Sequence, residues 1–108
     1  MDIYHVWCDL KPGVSDKEFA SRLSTFLGRL KEQKKIENWR LTRCKLGLSP
    51  NEMPEWHIMI ETNGLAQLDE AFKTLAPKVG AEHEVHFAAN SLVQNLKFAL
   101  YRDWPDRF

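Results

Sequence analysis

Two stretches of helical periodicity, with two strand-like stretches running back to back between them, leave this chain few ways to fold. Phe19, Leu23, Phe26, Leu27 and Leu30 recur at steps of 4, 3, 1 and 3, and Leu65, Leu68, Phe72, Leu75 and Val79 at steps of 3, 4, 3 and 4. Such spacing gathers apolar side chains on one face of a helix. Ser15-Asp16-Lys17-Glu18 precedes the first pattern and has the form of a capping box, with Ser15 as N-cap. Lysines near Gln33–Lys35 suit its negative end. Pro77 is expected to end or kink the second helix. Between the helices, residues 37–46 and 55–62 read as strands, joined by a Gly47–Pro54 connection rich in turn residues. Residues 2–10 form a first strand, followed by the Pro12-Gly13 turn. Val85, Ala88, Ala89, Leu92 and Val93 predict a short third helix over 82–93, and the alternation of 95–103 predicts a last strand closed by Trp104-Pro105.

The order is β-α-β-β-α-β with an extra helix before the last strand. This is the split βαβ, ferredoxin-like α+β plan, a four-stranded antiparallel sheet with its helices on one face. At 108 residues the chain reads as a single domain, 1–108. Apolar residues make up 44% and charged residues 28%, which suits a soluble globule. Fifteen basic residues balance fifteen acidic ones. That argues against a dedicated nucleic-acid binder, whose affinity rests on neutralising phosphates. Cys8 and Cys44 do not make a disulfide framework and read as reduced thiols. No apolar run is long enough to span a bilayer, and the first residues lack the form of a secretory signal. The expected location is the cytoplasm.

Alternation divides each strand between two faces. Tyr4, Val6, Cys8 and Leu10, then Trp56, Ile58 and Ile60, then Leu96, Phe98 and Leu100 form the natural helix-facing core. The other set mixes Ile3, Trp7, Met59 and Tyr101 with His5, Asp9, His57, Glu61, Lys97 and Asp103. In the second strand the register stays open, because Trp39 and Leu41 lie on one side and Cys44 and Leu46 on the other. A face bearing Ile, Trp, Met and Tyr is too apolar to leave in water, since burying one large apolar side chain is worth roughly 1.5–3 kcal/mol. Two copies meeting face to face would cover it and leave the polar members around a semi-enclosed cavity. Charge is compatible with such pairing: Arg22 to Lys45 carries eight basic and two acidic residues, and Asn51 to Asn90 two basic and seven acidic.

With His5 on the first strand, Trp56-His57-Ile58 on the third, the His-containing segment Glu82–Phe87, and Tyr101-Arg102-Asp103 at the end of the last strand, the chain resembles the dimeric α/β-barrel superfamily. Within it the layout is most like the stress-responsive A/B-barrel branch. The resemblance implies a homodimeric barrel. The superfamily holds cofactor-independent monooxygenases, haem-degrading enzymes and polyketide cyclases, so it does not fix a reaction. Carried over from the cyclases, His5, His57, His86 and Asp103 would surround a bound ketide as catalytic residues, with His83 an alternative to His86. His86–Asp103 would be the tautomer-fixing pair. The cyclases' substrate-binding tyrosines have no clear match here, Tyr4 and Tyr101 being the only two.

Read as residues, His5 and His57 fall on neighbouring strands and one face, where an imidazole can move a proton near neutral pH. Trp7, Met59, Glu61 and Tyr101 are the candidate ligand-binding residues beside them. The alternative is histidines satisfied inside a dimer interface. His83-x-x-His86 has helical spacing for two metal ligands but no evident third, so neither metal nor cofactor is assigned. There is no phosphate loop, nucleophile elbow or RNA-binding motif. The expected partner is a second copy of the chain, with a small apolar or aromatic molecule as ligand and no nucleic acid or membrane. If it is an enzyme, cofactor-free acid/base or oxygenase-like chemistry is expected; otherwise it is a structural dimer.

Overall fold

A computed structural model describes residues 1–77 and 80–106. The elements are β1 (Asp2–Leu10), α1 (Asp16–Glu32), β2 (Asn38–Arg43), β3 (Trp56–Thr62), α2 (Leu65–Leu75), α3 (Ala81–Asn90) and β4 (Val93–Arg102). The strands form one sheet in the order β2-β3-β1-β4, every neighbouring pair antiparallel. This is the ferredoxin-like arrangement, with the helices on one face of the sheet.

α1 is the element best anticipated by pattern. The Ser15 hydroxyl accepts a hydrogen bond from the Glu18 backbone N–H at 3.1 Å, which caps the helix start. The Glu18 carboxylate turns to Arg22 instead, at 3.2 Å. Phe19, Leu23, Phe26, Leu27 and Leu30 are all buried. At the other end Lys34 takes a left-handed φ of 60°. The N–H groups of Lys34 and Lys35 reach back to the carbonyls of Lys31 and Leu30, at 3.0 and 2.9 Å. That is a Schellman close, made here without the usual glycine.

Pairing of β2 with β3 settles the open register. Trp39 lies opposite Ile60 and Leu41 opposite Ile58, so both pack on the core side, while Arg40 and Thr42 join the other face. Cys44 and Leu46 fall beyond the strand. β4 begins at Val93, two residues earlier than expected, and α3 ends at Asn90 rather than 93. The cause is a bulge: Asn95 has φ 56°, and the β1–β4 register shifts by one residue between Trp7 and Asp9. Asp9 ties this corner together, accepting from Asn95 Nδ2 at 3.1 Å and from the Glu55 backbone N–H at 2.9 Å. At the far end of the same strand pair, buried Asp2 accepts from Arg102 Nη2 at 3.0 Å.

The core lies between the sheet and α1, with α2 and α3 contributing Leu68, Ala71 and Ala89. Here the expected inner stripe of the second helix fails: Leu65 is 53% exposed. Phe72 was placed on the inner face of the second helix, yet it is 46% exposed, and Ala71 points inward instead. The helix is rolled so that Leu68, Ala71 and Leu75 face the sheet, a stripe with the same three-and-four spacing. Trp104, which follows the last strand, is 87% exposed. Val79 lies outside the described residues.

Candidate functional site

The two faces of the sheet carry two different sites. On the face away from the helices, strand register sets Trp7 opposite His57, His5 opposite Met59, and Ile3 opposite both Glu61 and Tyr101. Residues opposite each other in antiparallel strands project from the same side. The candidates His5, Trp7, His57, Met59, Glu61 and Tyr101 therefore share one surface, joined by Arg40 and Thr42 from β2. At its centre His5 Nδ1 lies 2.8 Å from His57 Nε2. Trp7 stacks on His57 with ring centroids 4.4 Å apart, and Tyr101 meets His5 edge-on at 5.1 Å. Thr42 Oγ1 donates to the His57 carbonyl at 3.2 Å.

A nitrogen-to-nitrogen contact of this length needs one donor and one acceptor. The pair can hold the bond while neutral or after taking one proton, and loses it on taking a second. Partial burial lowers both imidazoles below the usual 6.5, and for His57 the neighbouring His5 adds to the effect. Such a pair can accept a single proton from a molecule lying on the face.

His86 and Asp103 do not join it. His86 belongs to α3, behind the sheet, with its ring 4.8 Å from that of Phe26 on α1. Asp103 lies past the end of β4, where it forms an ion pair with the N-terminal ammonium at 3.5 Å. Among the described residues no hydrogen bond or ion pair joins His86 to Asp103. His83, the alternative, lies along the Phe87 ring at 6.0 Å on the same helix. The resemblance aligned these positions by order along the chain. The sheet itself separates them in space.

Behind the sheet, on the helix side, is a cavity of about 160 Å³. The sheet wall is formed by Tyr4, Val6, Cys8, Ile58, Ile60 and Phe98. α1, α2 and α3 close the other side, α2 with Leu68, Ala71 and Leu75 and α3 with His86, Ala89 and Asn90. Its lining residues Leu96, Phe98 and Asn90 are exposed, which sets the mouth beside β4. Tyr4 stands there between Phe72, at 5.4 Å edge-to-face, and Phe98, at 6.0 Å stacked. A cavity between the two sheets of a dimer was expected; the one observed is intramolecular and lies on the opposite face. Small residues at inward helical positions were the available signal, hidden because Phe72 offered an equally regular stripe.

Comparison with known proteins follows the fold. A family model described as a family of unknown function, DUF6614, matches residues 1–108. No curated protein matches the chain. Among solved structures, the Arabidopsis thaliana protein At3g17210 superposes with a TM-score of 0.73 at 10% identity, covering 100% of both chains. A dimeric ferredoxin-like protein of unknown function from Jannaschia sp. CCS1 gives 0.69 at 11% identity, covering 95% of this chain and 100% of that one. Another from Thermobifida fusca YX gives 0.55 at 15%, covering 94% and 90%. At these identities the likeness is one of fold.

Proposed function

The chain belongs to the DUF6614 family of unknown function, and from that premise we propose that it is a homodimer that binds a small apolar or aromatic molecule in the cavity behind its sheet. The observation that carries this reading is the cavity itself, about 160 Å³ and walled almost wholly by apolar side chains. Well-packed interiors leave few voids larger than a water molecule. One this large, opening to solvent, is a ligand site by default. Dimerisation is drawn from the open face, where Ile3, Trp7, Met59 and Tyr101 surround the histidine pair, and from the dimeric ferredoxin-like neighbours. We place it within the dimeric α/β-barrel group, in the stress-responsive A/B-barrel branch, and in the cytoplasm, a reducing compartment that suits the free thiols of Cys8 and Cys44.

Native mass spectrometry of the freshly purified protein tests both halves. A mass of twice 12.6 kDa plus a small adduct is expected. Met59→Lys, which sets a charge in the middle of the open face, should return the mass to a single chain. A wild-type monomer at micromolar concentration would overturn the dimer.

A second reading is favoured by the His5–His57 contact of 2.8 Å. On it, the pair performs cofactor-free proton transfer on a ligand held against Trp7, Met59, Glu61 and Tyr101. His57→Ala should then abolish turnover while leaving the dimer mass unchanged, and unchanged turnover removes His57 from the chemistry.

A further inference from the structure

We propose that the cavity is selective for a neutral molecule of about one ring, bearing a single hydroxyl or carbonyl group that hydrogen-bonds to His86. This rests on the reading of the cavity as a ligand site and adds the chemical class of what it takes.

Size comes first. A cavity of about 150 Å³ lined by Leu, Ile and Phe takes up benzene. The 160 Å³ here is of that order and has a similar lining. A fused ring system or a cofactor is too large for it.

Charge comes second. Among the described residues, no Asp, Glu, Lys or Arg lines the cavity. Its polar members are Tyr4, Cys8, His86 and Asn90. Asn90 carries no charge, and burial keeps the other three uncharged at neutral pH: it raises the Tyr4 phenol, pushes the Cys8 thiol up to about 11, and lowers His86, with His83 adding to the last. A carboxylate or ammonium entering such a site would shed its water and find no counter-charge.

Position comes third. His86 is half-buried, and no hydrogen bond joins its ring to another described residue; its contact is the face of Phe26. A neutral imidazole has one donor and one acceptor nitrogen, so it can satisfy either a hydroxyl or a carbonyl. Tyr4, part-buried like His86, and exposed Asn90 line the cavity beside Phe98, and neither side chain has a hydrogen bond to another described residue. His86, set against Phe26, is the part-buried polar group of the helix wall with hydrogen-bonding capacity left over, and a ligand with one matching group would use it.

The test uses three probes of one size, toluene, phenol and benzoate, titrated into the full chain and followed by calorimetry and by the ring signals of its four histidines. Toluene and phenol are expected to bind and benzoate at least tenfold more weakly than phenol. Phenol should move the His86 ring signals, and toluene should leave their positions nearly unchanged. In His86→Phe the ratio of phenol to toluene affinity should fall about tenfold, the worth of one hydrogen bond. Ala71→Leu, which fills the cavity with a larger side chain, should abolish binding of both while the chain stays folded by circular dichroism. If toluene and phenol both fail to bind, the cavity reading falls. If both bind but the His86 signals respond alike to them, or the affinity ratio survives His86→Phe, the role of His86 falls and the cavity reading stands. Benzoate binding as tightly as phenol would overturn the neutral class. The wild-type signals decide the matter even where a variant misfolds.

Discussion

The His5–His57 pair shows how one contact sets the behaviour of two residues. Each imidazole sits below its ordinary 6.5 because burial penalises the charged form, and His57 also because a charge on His5 would oppose its own. A group whose folded value is depressed gives stability that is fully present above its unfolded value and is lost as pH falls through the folded one. The chain should therefore weaken below about pH 6.5. Urea unfolding at pH 7.5 and pH 5.5 measures this: the wild-type midpoint should drop more than that of His57→Asn, which removes one of the two titrating rings. Equal drops would show that His57 does not control the acid limb. His5 and His57 are also the candidates whose meeting was readable from sequence, because two adjacent strands and strict alternation leave little freedom. His86 was not, since a helical residue's direction depends on how its helix is docked.

At the scale of elements, helix ends obey local chemistry and helix faces do not. Ser15 caps α1 in the position its spacing marks, and Ser15→Ala should cost about 1 kcal/mol of folding free energy by chemical denaturation. Lys34 closes the same helix with a left-handed backbone that a side chain disfavours by roughly 1–2 kcal/mol. Lys34→Gly should relieve part of that and raise the urea midpoint by an amount equivalent to about 0.5–1 kcal/mol, after the greater entropy of glycine in the unfolded chain is subtracted. Neither residue approaches the cavity, so ligand affinity should not change. α2 makes the contrast. Leu65-Leu68-Phe72-Leu75 and Leu68-Ala71-Leu75 are both regular apolar stripes, and local spacing cannot choose between them. Packing against the sheet brings Ala71 inward, turns Phe72 toward Tyr4 at the mouth, and leaves the cavity open.

Considered whole, the molecule covers one face of its sheet with helices and leaves the other face without a cover of its own. If the second copy proposed here supplies it, stability is tied to concentration by mass action. The thermal midpoint of the wild type should rise with protein concentration, and that of Met59→Lys should not. A concentration-independent wild-type midpoint, together with a monomeric mass, would mean that the open face works in water. The edge strand β4 has a similar role on the helix side, where Phe98 is 58% and Leu100 49% exposed although both point toward the helix layer. Leu96 and Phe98 line the cavity there, which sets its mouth beside β4.

Amino-acid order alone determined the succession of strands and helices, the ends of α1, the split of β1, β3 and β4 into two faces and, through these, the ferredoxin-like plan. All of that follows from interactions between residues close in the chain, whose periods of 2 and 3.6 are written directly in the side-chain types. The tertiary structure decided what those periods leave degenerate: the register of β2, the bulge at Asn95, the roll of α2, and the side of the sheet on which His86 lies. Each depends on contacts between residues far apart in sequence, and the cavity depends on all the packing choices together. A void is defined by what several elements fail to fill, and no single segment of the chain carries its pattern.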